Sequence, residues 1–274
     1  MPSLVGLLAG CGSDSPSPPS QESGAALRIV TVSGAPLQAN AGDAVPLKVV
    51  AVDADGGTND LPAGASVCWT SPAVVTALPV DSNADSPLPA PGPLPTAGWI
   101  VNPGRPERAG DLANVLFVFD PGTTANPTLT VSATVTGSVS GEATAAVPIS
   151  TTPAGDATRG AAVYGASGAN CAECHGATGH GSPEGSDATT FTIVGGTYDF
   201  PVPGLNSEDG NVAGDPAWTP ALLAVAARSD MDNEGVTLRA PMPDWLTQAN
   251  PATGAPPTTQ DFADIFAFLK TQSR

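Results

Sequence analysis

VPISTTPAGDATRGAAVY, residues 147–164, is the stretch that decides the fold. Up to Ser150, apolar and polar residues alternate, Val147 and Ile149 against Pro148 and Ser150, which is the two-residue repeat of a half-buried strand. From Asp156 the repeat changes. Asp is a helix-capping residue, and Gly160 and Tyr164 stand four apart, the spacing that shares one helical face. Thr151, Thr152, Pro153, Ala154 and Gly155 lie between and continue neither pattern. One chain therefore carries two architectures, β before this break and α after it, and its 274 residues suit about two domains.

On the N-terminal side, LRIVTVS (27–33), VPLKVVAVD (45–53), ASVCWTS (65–71), NVLFVFD (114–120), TLTVSATVTG (128–137) and ATAAVPIS (143–150) read as short strands. Gly, Pro, Asn and Asp punctuate them. Strands at this spacing predict a β-sandwich over 27–150, with its apolar faces closed on each other. AGDAVPLKVVAVDADGG (41–57) followed by VCWTSP (67–72) resembles bacterial immunoglobulin-like domains, which implies Trp69 as the core aromatic. The Pro-rich stretch 86–95 cannot pair as a central strand and is expected to be a long surface loop. Asp53, Asp55, Asn59 and Asp60 gather oxygen atoms that calcium accepts, but the same residues are ordinary turn formers, and the turn is the preferred reading. Cys68 is expected to be a buried, unreactive thiol.

Further out, Leu8-Ala9-Gly10-Cys11 resembles the lipobox of bacterial lipoproteins, which implies cleavage after residue 10 and acylation of Cys11. The match departs from that pattern in having no Lys or Arg before Cys11 and a short apolar core; a start site placed too far downstream accounts for both. Residues 12–26 follow as a Ser/Pro linker that buries nothing. Gly12, rather than Asp, after the Cys favours the outer membrane by the same resemblance. The expected location is the cell envelope, lipid-anchored, with the protein facing the periplasm or the surface.

Composition narrows the function. The formal net charge is −17, which argues against nucleic-acid binding, since that needs a basic patch. No apolar run approaches the roughly 18 residues of a spanning helix. The apolar fraction of 41% is enough for packed cores, while 31 Gly and 30 Pro confine helices to a few places.

The chemistry lies C-terminal to the break. Cys171-Ala172-Glu173-Cys174-His175 is C-x-x-C-H, the attachment pattern of c-type haem. Two Cys three apart on one helical turn reach the two vinyl groups of one porphyrin, and the adjacent His turns its ring to the iron. A thioredoxin-like dithiol would need a βαβ context that is missing, and a zinc site would have only His180 and Cys68 left to complete it.

Residues 155–272 resemble a class I c-type cytochrome, within an expected domain of 151–274. The resemblance implies that Gly160 permits close crossing of a C-terminal helix and that Tyr164 packs there. That helix is itself legible: Thr258 with Asp261 makes a capping-box start, and Phe262, Ile265, Phe266 and Leu269 follow at helical spacing. Residues 202–235 resemble the middle of periplasmic cytochromes, with a loop over the haem edge and then a helix from Ala221 to Arg228. The sixth ligand has three candidates. His180 is too close to His175 to cross the ring, and Met231 sits in an acidic turn. Met242, stiffened by Pro241 and Pro243, is the preferred ligand, M-P being the family's usual form. Arg239, Trp218 and Trp245 are expected as propionate or haem-wall neighbours.

The resulting expectation is a multidomain chain, an immunoglobulin-like β-sandwich followed by an all-α cytochrome c domain. It would carry one covalent haem c held by Cys171 and Cys174, with His175 and Met242 as iron ligands. It would transfer electrons rather than act as an enzyme, since two protein ligands leave no open site for oxygen or peroxide. From Gly155 onward 14 acidic residues face 5 basic ones, so 14 − 5 gives a net of −9 and calls for redox partners with a basic or neutral docking face. Two other readings stay open: an adhesion or binding lipoprotein with a sensing or structural haem, and a haem subunit of a larger membrane-associated dehydrogenase.

Overall fold

The computed structural model describes residues 26–71, 73–75, 98–101, 114–118, 127–165, 170–181, 189–193, 196–200, 202–229, 245–246, 248–250 and 253–273. The expectations placed on Cys11, the 12–26 linker up to residue 25, the 86–95 loop, Met231, Arg239 and Met242 fall outside these residues.

All six expected strands form, joined by four shorter ones. In chain order they are β1 (Ala26–Thr31), β2 (Ala39–Asn40), β3 (Ala44–Val52), β4 (Thr58–Asp60), β5 (Ala65–Ser71), β6 (Ala73–Val75), β7 (Gly98–Val101), β8 (Val115–Val118), β9 (Thr128–Gly137) and β10 (Gly141–Ser150). One sheet runs β1-β3-β8-β7-β6, with β4 also on β3, and the other runs β2-β10-β9-β5. The alternation that predicts the strands also builds the core between the sheets. On β9, Leu129, Val131, Ala133 and Val135 are buried while the intervening Thr and Ser face outward. They meet Ile29, Leu47, Val49, Leu116 and Val118 of the opposite sheet. Each large apolar side chain so buried contributes about 1.5–3 kcal/mol.

Trp69 lies at the centre, and its indole N–H donates to Asn114 Oδ1 at 2.7 Å, so the ring is buried without an orphaned donor. Its neighbour Cys68 corrects the expectation of a buried free thiol. Successive strand residues face opposite sides, so with Trp69 inside, Cys68 points outward and is half-buried. It is disulfide-bonded, to a partner outside the described residues. The acidic cluster resolves as a turn with local partners. Asp53 accepts from the Gly57 N–H at 2.7 Å, and Asp60 pairs with Lys48 at 2.6 Å on the exposed surface.

Among the described residues after the break there are four helices, α1 (Ala157–Tyr164), α2 (Ala172–His175), α3 (Pro220–Ser229) and α4 (Thr259–Lys270). Asp156 caps α1 through the N–H groups of Thr158 and Arg159, and Thr258 with Asp261 completes a reciprocal capping box on α4. The two helices cross at Gly160, where a Cβ would lie 1.9 Å from the Asp264 carbonyl oxygen. Only a residue without a side chain allows that approach. The crossing is tied electrostatically as well: Asp264, fully buried, accepts from the Asp156 N–H at 2.7 Å and pairs with Arg159. Between α2 and α3 the helical region carries one addition, an antiparallel hairpin of β11 (Thr189–Ile193) and β12 (Gly196–Phe200). No helix among the described residues is long and apolar enough to cross a membrane.

The sandwich and the helical region pack against each other. Ala221 of α3 is fully buried in the same apolar cluster as Trp69 and Leu116.

Candidate functional site

The C-x-x-C-H residues occupy one short turn. The His175 N–H donates to the Cys171 carbonyl at 2.9 Å and that of Cys174 to the same carbonyl at 3.3 Å. Cys171, Cys174 and His175 are thereby stacked on one side of α2. Gly176, at φ +76°, ends the turn in a conformation that other residues rarely adopt.

Three parts of the fold fasten the loop that follows. The Tyr164 hydroxyl of α1 donates to the Gly176 carbonyl at 2.8 Å. Leu269 of α4 lies so close to Gly179 that a Cβ there would meet it at 2.5 Å. The Asn206 N–H donates to the Gly179 carbonyl at 3.0 Å, joining the loop to the 202–206 segment. Both helices that meet at Gly160 therefore hold the same loop.

His175 is buried, and its Nδ1 lies 3.0 Å from the Pro203 carbonyl oxygen. A carbonyl only accepts, so the proton sits on Nδ1 and the lone pair on Nε2. This is the tautomer and the outer hydrogen bond of a metal-ligating imidazole. Burial lowers the His175 pKa below the usual histidine value, which keeps the ring neutral, as a ligand must be.

Cys171 and Cys174 are both free. Burial pushes the Cys171 thiol up to about 12 and raises Cys174 as well. A dithiol that exchanges electrons through sulfur needs the opposite, a depressed thiol pKa. Among the described residues, no three of His, Cys, Asp and Glu group as a metal site. The arrangement is suited to presenting one imidazole nitrogen and two thiols to a single apolar-walled group.

Trp218 and Trp245, expected beside such a group, lie in one apolar cluster with Cys171, Ala172, Leu205 and Phe266; Trp245 is buried and Trp218 half-buried. His180 stays local, its Nδ1 3.0 Å from Thr178 Oγ1 and its ring against Gly176. Met231, Arg239 and Met242 belong to 230–244, outside the described residues.

Two contributors escape the sequence reading. Pro203 acts through its main-chain oxygen, which no side-chain pattern announces. Asn206 is fully buried; its Oδ1 accepts from the Glu208 N–H and from Asn211, while its Nδ2 has no partner. A buried donor without an acceptor is costly, and it fits a bound group that brings acceptor oxygens, as haem propionates do.

Residues 157–273 match the family model described as Cytochrome c. The match supports a c-type cytochrome domain there, and with it covalently bound haem c and a haem-binding electron-transfer role. No curated protein and no solved structure matches the chain.

Proposed function

We propose that the protein is a one-haem electron carrier of the cell envelope, with His175 and Met242 as its iron ligands. The observation that carries this reading is the Nδ1 contact of His175 with the Pro203 carbonyl, which turns a neutral, buried imidazole into a preset ligand. The other residues fit haem c: two free thiols on one turn, an apolar wall with Trp218 and Trp245, and an orphaned amide donor on Asn206. When bound, haem c supplies a one-electron Fe(III)/Fe(II) couple. His175 would ligate the iron, and Cys171 and Cys174 would fix the macrocycle covalently. Met242, which stands between Pro241 and Pro243 in the sequence, would supply the second ligand, and such ligation raises the potential. One C-x-x-C-H in the chain supports a single haem.

Export is supported by the disulfide at Cys68, since such bonds persist in oxidising compartments. Acylation of Cys11 would anchor the protein. Of the four cysteines, Cys171 and Cys174 are free, so by count Cys11 is also the one left for Cys68, and one sulfur cannot serve both. The mass of protein purified from the envelope, with and without reduction, separates a diacylated Cys11 from a cross-linked one.

The ligand set is tested by substitution. Met242→Ala should abolish the weak far-red sulfur-to-iron band of the oxidised protein and lower the reduction potential, with haem still attached through Cys171 and Cys174. Met231→Ala should do neither. A Met231 variant that loses the band while the Met242 variant keeps it reassigns the ligand. A wild type that lacks the band and binds peroxide removes the electron-carrier reading.

A further inference from the structure

The sandwich meets the helical region at one turn. Asn40–Asp43, between β2 and β3, is anchored in both sheets: the Ala41 N–H donates to the Ser150 carbonyl of β10 at 2.8 Å, and the Gly42 N–H to the Val118 carbonyl of β8 at 2.9 Å. The same turn lies between α3 and the first turn of α4. A Cβ on Gly42 would meet Thr259 Cγ2 at 2.9 Å and the Ala221 backbone at 3.3 Å, so the main chain is already in close contact with both helices.

Arg228, near the end of α3, closes this junction. It is 6% exposed, and its guanidinium donates to the Gly42 carbonyl at 2.7 Å, the Thr259 hydroxyl at 3.1 Å and the Pro257 carbonyl at 2.7 Å. It lies 5.0 Å from the centre of the Phe262 ring. The Thr259 hydroxyl donates onward to the Asp43 carboxylate, whose other oxygen accepts from the Asn40 N–H at 2.7 Å. Burial lowers the Arg228 pKa to about 10, and Asp43 opposes the fall, so the group is charged at neutral pH. The linker is fastened to α4 as well. The Gln260 side-chain amide donates to the Ala154 carbonyl at 2.8 Å, and a Cβ on Gly155 would lie 2.1 Å from the Ala263 carbonyl oxygen.

Domains joined by a short linker move against each other by default. Here that movement would take the Gly42 carbonyl from Arg228 and the Asp43 carboxylate from Thr259. It would also uncover Ala221, a fully buried member of the sandwich core. A buried cation deprived of a partner is far more costly than an exposed pair that parts.

We propose that the sandwich and the helical region unfold as one cooperative body, with Arg228 as the residue that couples them. The attachment turn then keeps a fixed place relative to the sandwich instead of swinging on residues 151–155. This goes beyond the electron-carrier reading and does not depend on its ligand set.

The test is native-state hydrogen exchange of the full-length haem protein in rising, sub-denaturing urea, read by mass spectrometry on peptides from β9 and from α4. In the wild type the slowest amides of both peptides should exchange through one opening with one urea dependence. Asp43→Ala, made in the sandwich, removes the acceptor of Thr259 and should raise the opening constant about tenfold in both peptides. Arg228→Met should uncouple them, with α4 opening at lower urea than β9. Lys48→Ala, which breaks an exposed pair, should stay within about twofold of the wild type in both. If Arg228→Met fails to fold, Thr259→Val carries that arm, since it keeps the branched shape and removes the hydroxyl that joins Arg228 to Asp43. Two separate openings in the wild type, or an Asp43→Ala protein altered in β9 alone, overturn the single body. An Arg228→Met protein, or Thr259→Val in its place, whose two peptides still open together overturns the coupling role of Arg228.

Discussion

Replacing Gly160 with Ala sets two physical rules against each other, and the sign of the result decides between them. In an isolated helix the change is favourable by about 1 kcal/mol, because Gly loses more backbone entropy on ordering. Here the new Cβ would lie 1.9 Å from the Asp264 carbonyl oxygen. An ordinary C···O approach is about 3.3 Å, so α1 and α4 must part by about 1.4 Å. A gap of 0.5–1 Å already forfeits about a quarter to a half of a dispersion well along a contact. The same movement loosens Asp264 from the Asp156 N–H and from Arg159, leaving a fully buried carboxylate short of partners. Overpacking of a tight core costs about 1–3 kcal/mol, and the loosened carboxylate places Gly160→Ala at or above the top of that range, near 3 kcal/mol. Urea titration of the haem protein, followed by far-ultraviolet dichroism and haem absorbance together, measures it. The midpoint should fall and the haem spectrum should change in step with the helix signal, because Tyr164 and Leu269 hold the attachment loop from these same two helices. A variant as stable as the wild type, or more stable, would refute the close crossing.

Two other outcomes follow from charge. The N–H groups of Arg159 and Thr158 hold the Asp156 carboxyl below its ordinary 3.8; the folded state then binds fewer protons than the unfolded one, so the stabilisation from this cap is present above about pH 4 and is lost as pH falls through the folded value. Asp156→Asn, which retains a capping oxygen, should flatten that acid limb of the stability curve in thermal melts between about pH 2 and 6. From Gly155 onward the chain carries 14 acidic residues against 5 basic ones, so a basic partner is attracted. Stopped-flow reduction by a basic redox partner should slow between about 0.01 and 0.1 M ionic strength; faster reduction by an acidic partner at low salt would contradict the docking expectation.

What the sequence made legible was whatever depends on local repeat. The strand alternation from Leu27 to Ser150, the cap at Asp156, the Thr258–Asp261 box and the C-x-x-C-H turn each declare themselves within a few residues. TTFTI and GTYDF also alternate, but the helical patterns on either side of them dominate that region. What stayed hidden depends on distant partners. Nothing near Arg228 shows that its guanidinium meets Gly42, far upstream in the chain. Asp264 counts as one more surface acid until Arg159 from α1 is seen beside it. Cys68 reads as inert in the sequence because a lipobox and a C-x-x-C-H claim the other three cysteines. Met242, which a local pattern favours, still waits on the substitution that tests it.

The way the attachment loop is tied down sets an order of events. Its clasp on one side is Tyr164, which precedes Cys171 in the chain; its clasps on the other are Asn206 and Leu269, which follow it. Until α4 arrives, the loop lacks its contact with Leu269 and is held by Tyr164 and Asn206 alone. With α4 docked both cysteines are still half-exposed. The last helix of the chain therefore completes the loop without sealing the thiols away.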